Sequence, residues 1–168
     1  MSAPEHHRSY SPASVSCFVL TVSDSRTLET DTSGQAIAAL LEAGGHRVTG
    51  RQVVKDEPAD VAGIVRGVLE SGDTQVVITT GGTGIAKRDS TYEALVALFE
   101  KELDGFGELF RMLSFQEIGP AAMLSRATAG VIAGRAVFLL PGSEHAVRLA
   151  TERLILPELG HIVGQLER

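Results

Sequence analysis

The run Gln75-Val-Val-Ile-Thr-Thr80 constrains this chain more than any other segment, because it is apolar and β-branched without alternation. An alternating pattern would mark a sheet with one wet face. A continuous one fits a strand covered on both faces, as in a parallel sheet flanked by helices. The run leads directly into Gly81-Gly82-Thr83-Gly84, a charged stretch ending at Asp89, and then Ser90-Thr91-Tyr92-Glu93. That last group reads as a capping box opening a helix over Leu95, Leu98, Phe99 and Leu103. Glycines placed after a buried strand permit positive φ and let backbone N–H groups approach an anion such as phosphate, and Thr83 adds a hydroxyl donor. A turn in which glycine only relieves strain would have the same composition.

Two phosphate-binding patterns do not fit. A Walker A loop needs Lys and Ser or Thr directly after its last glycine, whereas Ile85 and Ala86 precede Lys87 here. The dinucleotide pattern needs a glycine where Lys87 stands. A P-loop NTPase and a nicotinamide dehydrogenase are therefore disfavoured.

With 168 residues, 43% of them apolar, and no Pro/Ser-rich divider, the chain is expected to bury one sizeable core as a single domain over residues 15–168. A net charge of -6 with dispersed basic residues argues against a nucleic-acid surface. The lone Cys17 lies in the apolar run Val15 to Val22 and reads as a buried structural thiol. The absence of a disulfide framework is compatible with a reducing, cytoplasmic setting. Residues 1–14 have no apolar core, so they read as a mobile arm rather than a leader or membrane span, and His6 and His7 as solvated.

Strand and helix signals alternate along the chain. A strand over Val15 to Ser23 precedes Thr32-x-x-Gln35, a second capping-box pattern before a helix carrying Ile37, Leu40 and Leu41, which Gly44-Gly45 stops. Arg47 to Val54 reads as a strand. Pro58 opens a helix whose Val61, Ile64, Val65, Val68 and Leu69 follow the helical template. Phe106, Leu109, Phe110 and Leu113 mark another helix, whose Phe106, Phe110, Met112 and Phe115 suit either the core or a partner subunit. Arg135 to Leu140 is the last strand, Ala146, Val147, Ala150 and Leu154 mark a helix, and Pro157 starts a further helical segment. This β-then-α order implies a three-layer α/β/α sandwich with a mostly parallel central sheet.

In such a fold the loops leaving the strand carboxyl ends share one edge. Four polar clusters are therefore expected to converge: Ser23-Asp24-Ser25, Asp56-Glu57, the glycine loop through Asp89, and Pro141-Gly142-Ser143. Each has a plainer use. Ser143 can cap its helix, Asp24 or Asp31 can satisfy turn amides, and Asp56 can serve the helix at Pro58.

TTGGTGIAKRDSTYEA, GFGELFR at Gly105 to Arg111, AMLSRATAG at Ala122 to Gly130, and LPGS at Leu140 to Ser143 together resemble the MoaB/Mog family of molybdenum cofactor biosynthesis. The resemblance runs from about residue 14 to the end. It implies an α/β domain, usually a homo-trimer or homo-hexamer, that binds molybdopterin. Active members use Mg-ATP to adenylylate the pterin's terminal phosphate and release pyrophosphate. Carried over by position, the family's two important acidic residues fall on Asp56 and Asp89, implying positioning of Mg²⁺ and nucleotide. Thr83 and Ser114 fall where members contact the pterin or its phosphate. The departure is at Pro141-Gly142-Ser143-Glu144, where adenylylating members tend to read PGNP; VSDSR with DTSG is more typical of the MoaB branch. That branch is functionally mixed. The resemblance therefore implies a transferase, with a pterin-binding protein lacking significant turnover as the alternative, and nucleotide processing by the same domain as a third use.

Overall fold

A computed structural model of the protein describes residues 11–168, so most of the expected arm, with His6 and His7, lies outside the described residues. In chain order the elements are β1 (Ser16–Val22), α1 (Thr32–Ala43), β2 (Arg47–Val54), α2 (Pro58–Glu70), β3 (Val76–Thr80), α3 (Thr91–Val96) and β4 (Lys101–Glu102). They continue with α4 (Asp104–Ile118), β5 (Thr128–Ile132), β6 (Arg135–Leu140), α5 (Glu144–Ala150) and α6 (Leu156–Leu166). A 3₁₀ segment (Gly119–Leu124) precedes β5, and a π-helical turn (Thr151–Ile155) joins α5 to α6.

The strands form one 6-stranded sheet in the order β2-β1-β3-β6-β5-β4. β2, β1, β3 and β6 run parallel, while β5 and β4 continue the sheet antiparallel. The expected α/β architecture is thus the one the chain adopts. Its antiparallel edge comes from a small-residue stretch, Ala129 to Ala133, that carried no clear strand signal. The chain reverses at Ala133 and Gly134, with φ of 49 and 70, so that Ile132 pairs with Arg135.

Burial accounts for the unalternated pattern of β3. Val76 and Ile78 pack on one face with Ile37, Leu41, Phe110 and Leu159, whereas Val77 packs on the other with Val61, Val65 and Leu95. β6 divides in the same way, Phe138 and Leu140 against Val137 and Leu139. A fully buried side chain of this size contributes about 1.5–3 kcal/mol, so covering both faces is what fixes the layered arrangement. Cys17 belongs to this core, and burial pushes its thiol up to about 12, which keeps it protonated and unreactive. The helix carrying Phe106, Phe110, Met112 and Phe115 serves two surroundings: Phe110 is buried and Phe106 meets Phe138 edge-on at 5.1 Å, while Met112 and Phe115 are exposed.

Three local expectations change. The cap of α1 is Asp31, whose Oδ1 accepts from the Gly34 N–H at 2.8 Å, rather than Thr32 of the apparent capping box. Ser90 makes no side-chain cap for α3 either, because its hydroxyl is used elsewhere. α3 ends at Val96, well short of Leu103. The Glu100 N–H bonds to the Val131 carbonyl and starts β4, and the Phe99 ring fills the space left by the missing side chain of Gly130. Pro157 does begin a new helical segment. It lacks the N–H that would bond back one turn, and the helix widens to a π-turn immediately upstream.

Candidate functional site

Strand register places the site. Val22 of β1 pairs with Val54 of β2, Thr21 with Thr80 of β3, and Thr80 with Leu140 of β6, so the loops after all four strands leave the sheet side by side. Hydrogen bonds fasten the exits together: Ser23 N–H to the Val54 carbonyl (2.8 Å), Gly81 N–H to the Leu140 carbonyl (3.0 Å), and the Thr80 hydroxyl to the Pro141 carbonyl (2.8 Å).

Directly above β3 and β6 is a cleft of about 440 Å³. Gly81, Gly82, Thr83, Gly84 and Asp89 form one side of it, Pro141, Gly142 and Ser143 another, and Ser114 with Phe110 of α4 a third. The sequence reading named all of these but Phe110 as site residues, and the fold brings them together. Gly81 (φ 92) and Gly82 (φ 70) lie in the left-handed region. A Cβ at Gly81 would stand 2.1 Å from the Val22 carbonyl oxygen, and one at Gly82 2.0 Å from Thr91 Oγ1, so side chains are excluded from both. Thr83 and Ser114 are 4% and 7% exposed, yet neither hydroxyl has a hydrogen-bond partner among the described residues. Ser143 both lines the cleft and caps α5, its Oγ accepting from the Ala146 N–H at 3.2 Å.

The two acidic residues sit differently. Asp89 is on the cleft wall, its Oδ2 accepting from the Ala86 N–H at 3.1 Å. Asp56 lies beneath the glycine loop, 5% exposed. It does not serve α2; its Oδ1 accepts from the hydroxyls of Ser90 (2.8 Å) and Thr91 (3.2 Å), and its Oδ2 from the Ser90 N–H (3.3 Å). Both carboxylates nonetheless flank one loop, for a Cβ at Gly82 would come within 2.9 Å of Asp56 Oδ2 and one at Gly84 within 2.5 Å of Asp89 Oδ2.

Ser23 and Asp24 line an adjoining cleft of about 410 Å³ with Arg26, Arg51 and Lys55. A smaller hollow of about 100 Å³, shared by Ser23, Gly81 and Gly142, lies between the two. Asp24 is tied into the same network: its Oδ1 accepts from the Asp56 N–H at 3.2 Å, and its carboxylate takes two hydrogen bonds from Arg88 at 2.8 and 3.0 Å. Arg88 also donates to Glu57 at 2.9 Å, clamping the 84–89 segment across the ends of β1 and β2.

The Arg88 guanidinium, followed by the Asp56 N–H, holds the Asp24 carboxyl below its ordinary value, and Arg126 does the same for Glu93. A carboxyl whose value is lowered in the folded state adds stability that is complete above its unfolded value of about 4 and lost as pH falls through the folded one. The clamp is therefore expected to hold unchanged from neutrality down to roughly pH 4 and to loosen below it. Amide exchange of residues 85–89 against pH checks this, with Asp24→Asn expected to be loose at every pH; an acid-insensitive profile in the unsubstituted protein would count against the clamp.

Arg88 and Arg126 were the residues that sequence reading missed, although both stand inside the quoted runs. Arg126 donates from Nε to the Thr83 carbonyl at 2.9 Å and from Nη2 to that of Gly84, pairs with Glu93, and lies 4.6 Å over the Tyr92 ring. Neither arginine occupies a periodic position that would have marked it.

Residues 18–161 match the family described as a probable molybdopterin binding domain. The chain belongs to this family. It is 52% identical over 163 residues to molybdenum cofactor biosynthesis protein B of Halalkalibacterium halodurans, covering 96% of each chain. A crystal structure of a molybdenum cofactor biosynthesis protein B superposes with a TM-score of 0.91 at 53% identity, covering 94% of this chain and 98% of that one. The tungsten cofactor synthesizing protein MoaB from Pyrococcus furiosus superposes at 0.84 with 38% identity, covering 94% and 99%. Among the described residues, no helix is long and apolar enough to cross a membrane.

Proposed function

We propose that this protein acts in molybdenum cofactor biosynthesis by holding molybdopterin in the glycine-loop cleft and adenylylating its terminal phosphate with Mg-ATP. Family membership supports the pathway and the pterin. The observation that carries the site is the pair of nearly buried, unpartnered hydroxyls on Thr83 and Ser114, beside a loop whose φ values at Gly81 and Gly82 only glycine adopts freely. Neither oxygen is among the fully buried atoms left without a partner, so both are accessible at the cleft and can donate to a bound phosphate or pterin.

In the proposed reaction an oxygen of the pterin phosphate bonds to the α-phosphorus of ATP while the bond to pyrophosphate breaks. The attacking phosphate is already ionised, so no side-chain base is required. What the chain must do is offset repulsion between two anions, through loop amides and the hydroxyls of Thr83 and Ser114, and hold the reactants in line. Asp89, on the cleft wall with no hydrogen-bond donor to Oδ1 among the described residues, could take a divalent cation arriving with the nucleotide, while Asp56 Oδ2, which has only the Ser90 N–H, lies beneath the loop and outside the cleft lining. Mg²⁺ held there, largely by water and phosphate oxygens, would neutralise charge on the phosphates.

A second reading, binding of molybdopterin without turnover, is favoured by the burial of Asp56 and its commitment to Ser90 and Thr91. Pyrophosphate release with molybdopterin and Mg-ATP both present tests the choice: product formation is expected, and tight pterin binding with no product would install the second reading. We also propose a homo-trimer or homo-hexamer, supported by exposed Met112, Phe115, Ile118, Met123 and Leu124 on α4 and the segment after it.

A further inference from the structure

We infer that Arg126 is a positioning residue that aims the backbone amides of the glycine loop at a bound phosphate, an inference that rests on the proposed site. In a trans peptide the carbonyl and the next N–H point in opposite directions. The Gly82 carbonyl accepts from the Thr91 N–H at 3.1 Å, that of Thr83 from Arg126 Nε at 2.9 Å, and that of Gly84 from Arg126 Nη2. The N–H groups of Thr83, Gly84 and Ile85 must therefore project away from Thr91 and Arg126, and none of the three has an acceptor among the described residues. Consecutive amides turned to one side make an anion-binding concavity. Arg126 fixes two of the three.

Arg126 also lines the cleft, but its donors are turned to the protein. Besides the two carbonyls, its Nη1 and Nη2 reach the Glu93 carboxylate, and the guanidinium carbon sits 4.6 Å over the Tyr92 ring. Most of its N–H donors are thus committed within the protein, and its charge is balanced by Glu93. Tyr92 and Glu93 belong to α3, so this helix orders the loop through Arg126 as well as through the Thr91 N–H. Lysine cannot replace this fork, because one ammonium does not reproduce the planar donor pair that spans successive carbonyls.

The test compares molybdopterin with its dephosphorylated form, by calorimetric titration against the unsubstituted protein, Arg126→Lys and Glu93→Gln. The unsubstituted protein is expected to prefer the phosphorylated form. Arg126→Lys should lose about 10- to 100-fold in affinity for that form and less than about twofold for the other. Amide exchange at residues 83–85 should rise in parallel. Glu93→Gln, which removes only the exposed anchor, should lose about threefold for the phosphorylated form alone. In Arg126→Ala, millimolar guanidinium should restore part of the phosphate preference. Equal losses for both forms in Arg126→Lys and Glu93→Gln would make Arg126 a general packing residue and overturn the inference. No phosphate preference in the unsubstituted protein would instead remove the proposed site itself.

Discussion

Asp89→Asn protein is expected to bind molybdopterin within about twofold of the unsubstituted chain while its pyrophosphate release falls roughly a thousandfold. The substitution is chosen for what it keeps. Asp89 Oδ2 accepts from the Ala86 N–H at 3.1 Å, and an asparagine carbonyl oxygen can take that bond and preserve the turn. Only the negative charge is lost, together with the oxygen that has no donor among the described residues. Uncompensated repulsion between reacting phosphates belongs to the transition state more than to the bound pterin, so rate should fall and affinity should not. Asp89→Ala would confound the two by freeing Ala86. Full activity in Asp89→Asn would rule out a role for the carboxylate charge and leave the cation without its exposed ligand.

The second large effect is on the fold. Gly81→Ala is expected to lower stability by about 3–5 kcal/mol, or roughly 8–15 °C in melting temperature. Its backbone is at φ 92, and the new methyl would stand 2.1 Å from the carbonyl oxygen of Val22, a residue held in the pairing of β1 with β2. Because the Gly81 N–H also bonds to the Leu140 carbonyl, relief by moving the loop would open the junction with β6. Gly84→Ala is the control. There the methyl would meet Asp89 Oδ2 at 2.5 Å, the end of a side chain that can swing aside, so stability should change little while the carboxylate is displaced. Thermal unfolding of the two variants side by side decides the matter; equal melting temperatures would contradict the strain assigned to Gly81.

The sequence was most readable where one local rule governs a whole element. Buried parallel strands announced themselves through unbroken apolar runs, and α2 through its proline start and unbroken helical period. Readability failed where a distant partner decides. Ser90 looks like a helix cap by its neighbours, but its hydroxyl goes to Asp56, 34 residues away. Phe99 looks helical until Gly130 offers it a place to lie. The glycines and hydroxyls of the cleft could be named because strand order sends their loops to one edge. The arginines that organise those loops could not, since Arg126 reaches Thr83 across 43 residues and no periodicity records such a meeting.

The four parallel strand ends also act as a ruler. Neighbouring strands are spaced by about 4.8 Å, so the exits from Pro141 to Lys55, with Gly81 and Ser23 between them, mark out roughly 14 Å in three graduations. A compound much shorter than this cannot reach both outer exits at once. The spacing of the exits is thus set by backbone pairing, and side chains such as Phe110 and Ser114 shape only the walls above it.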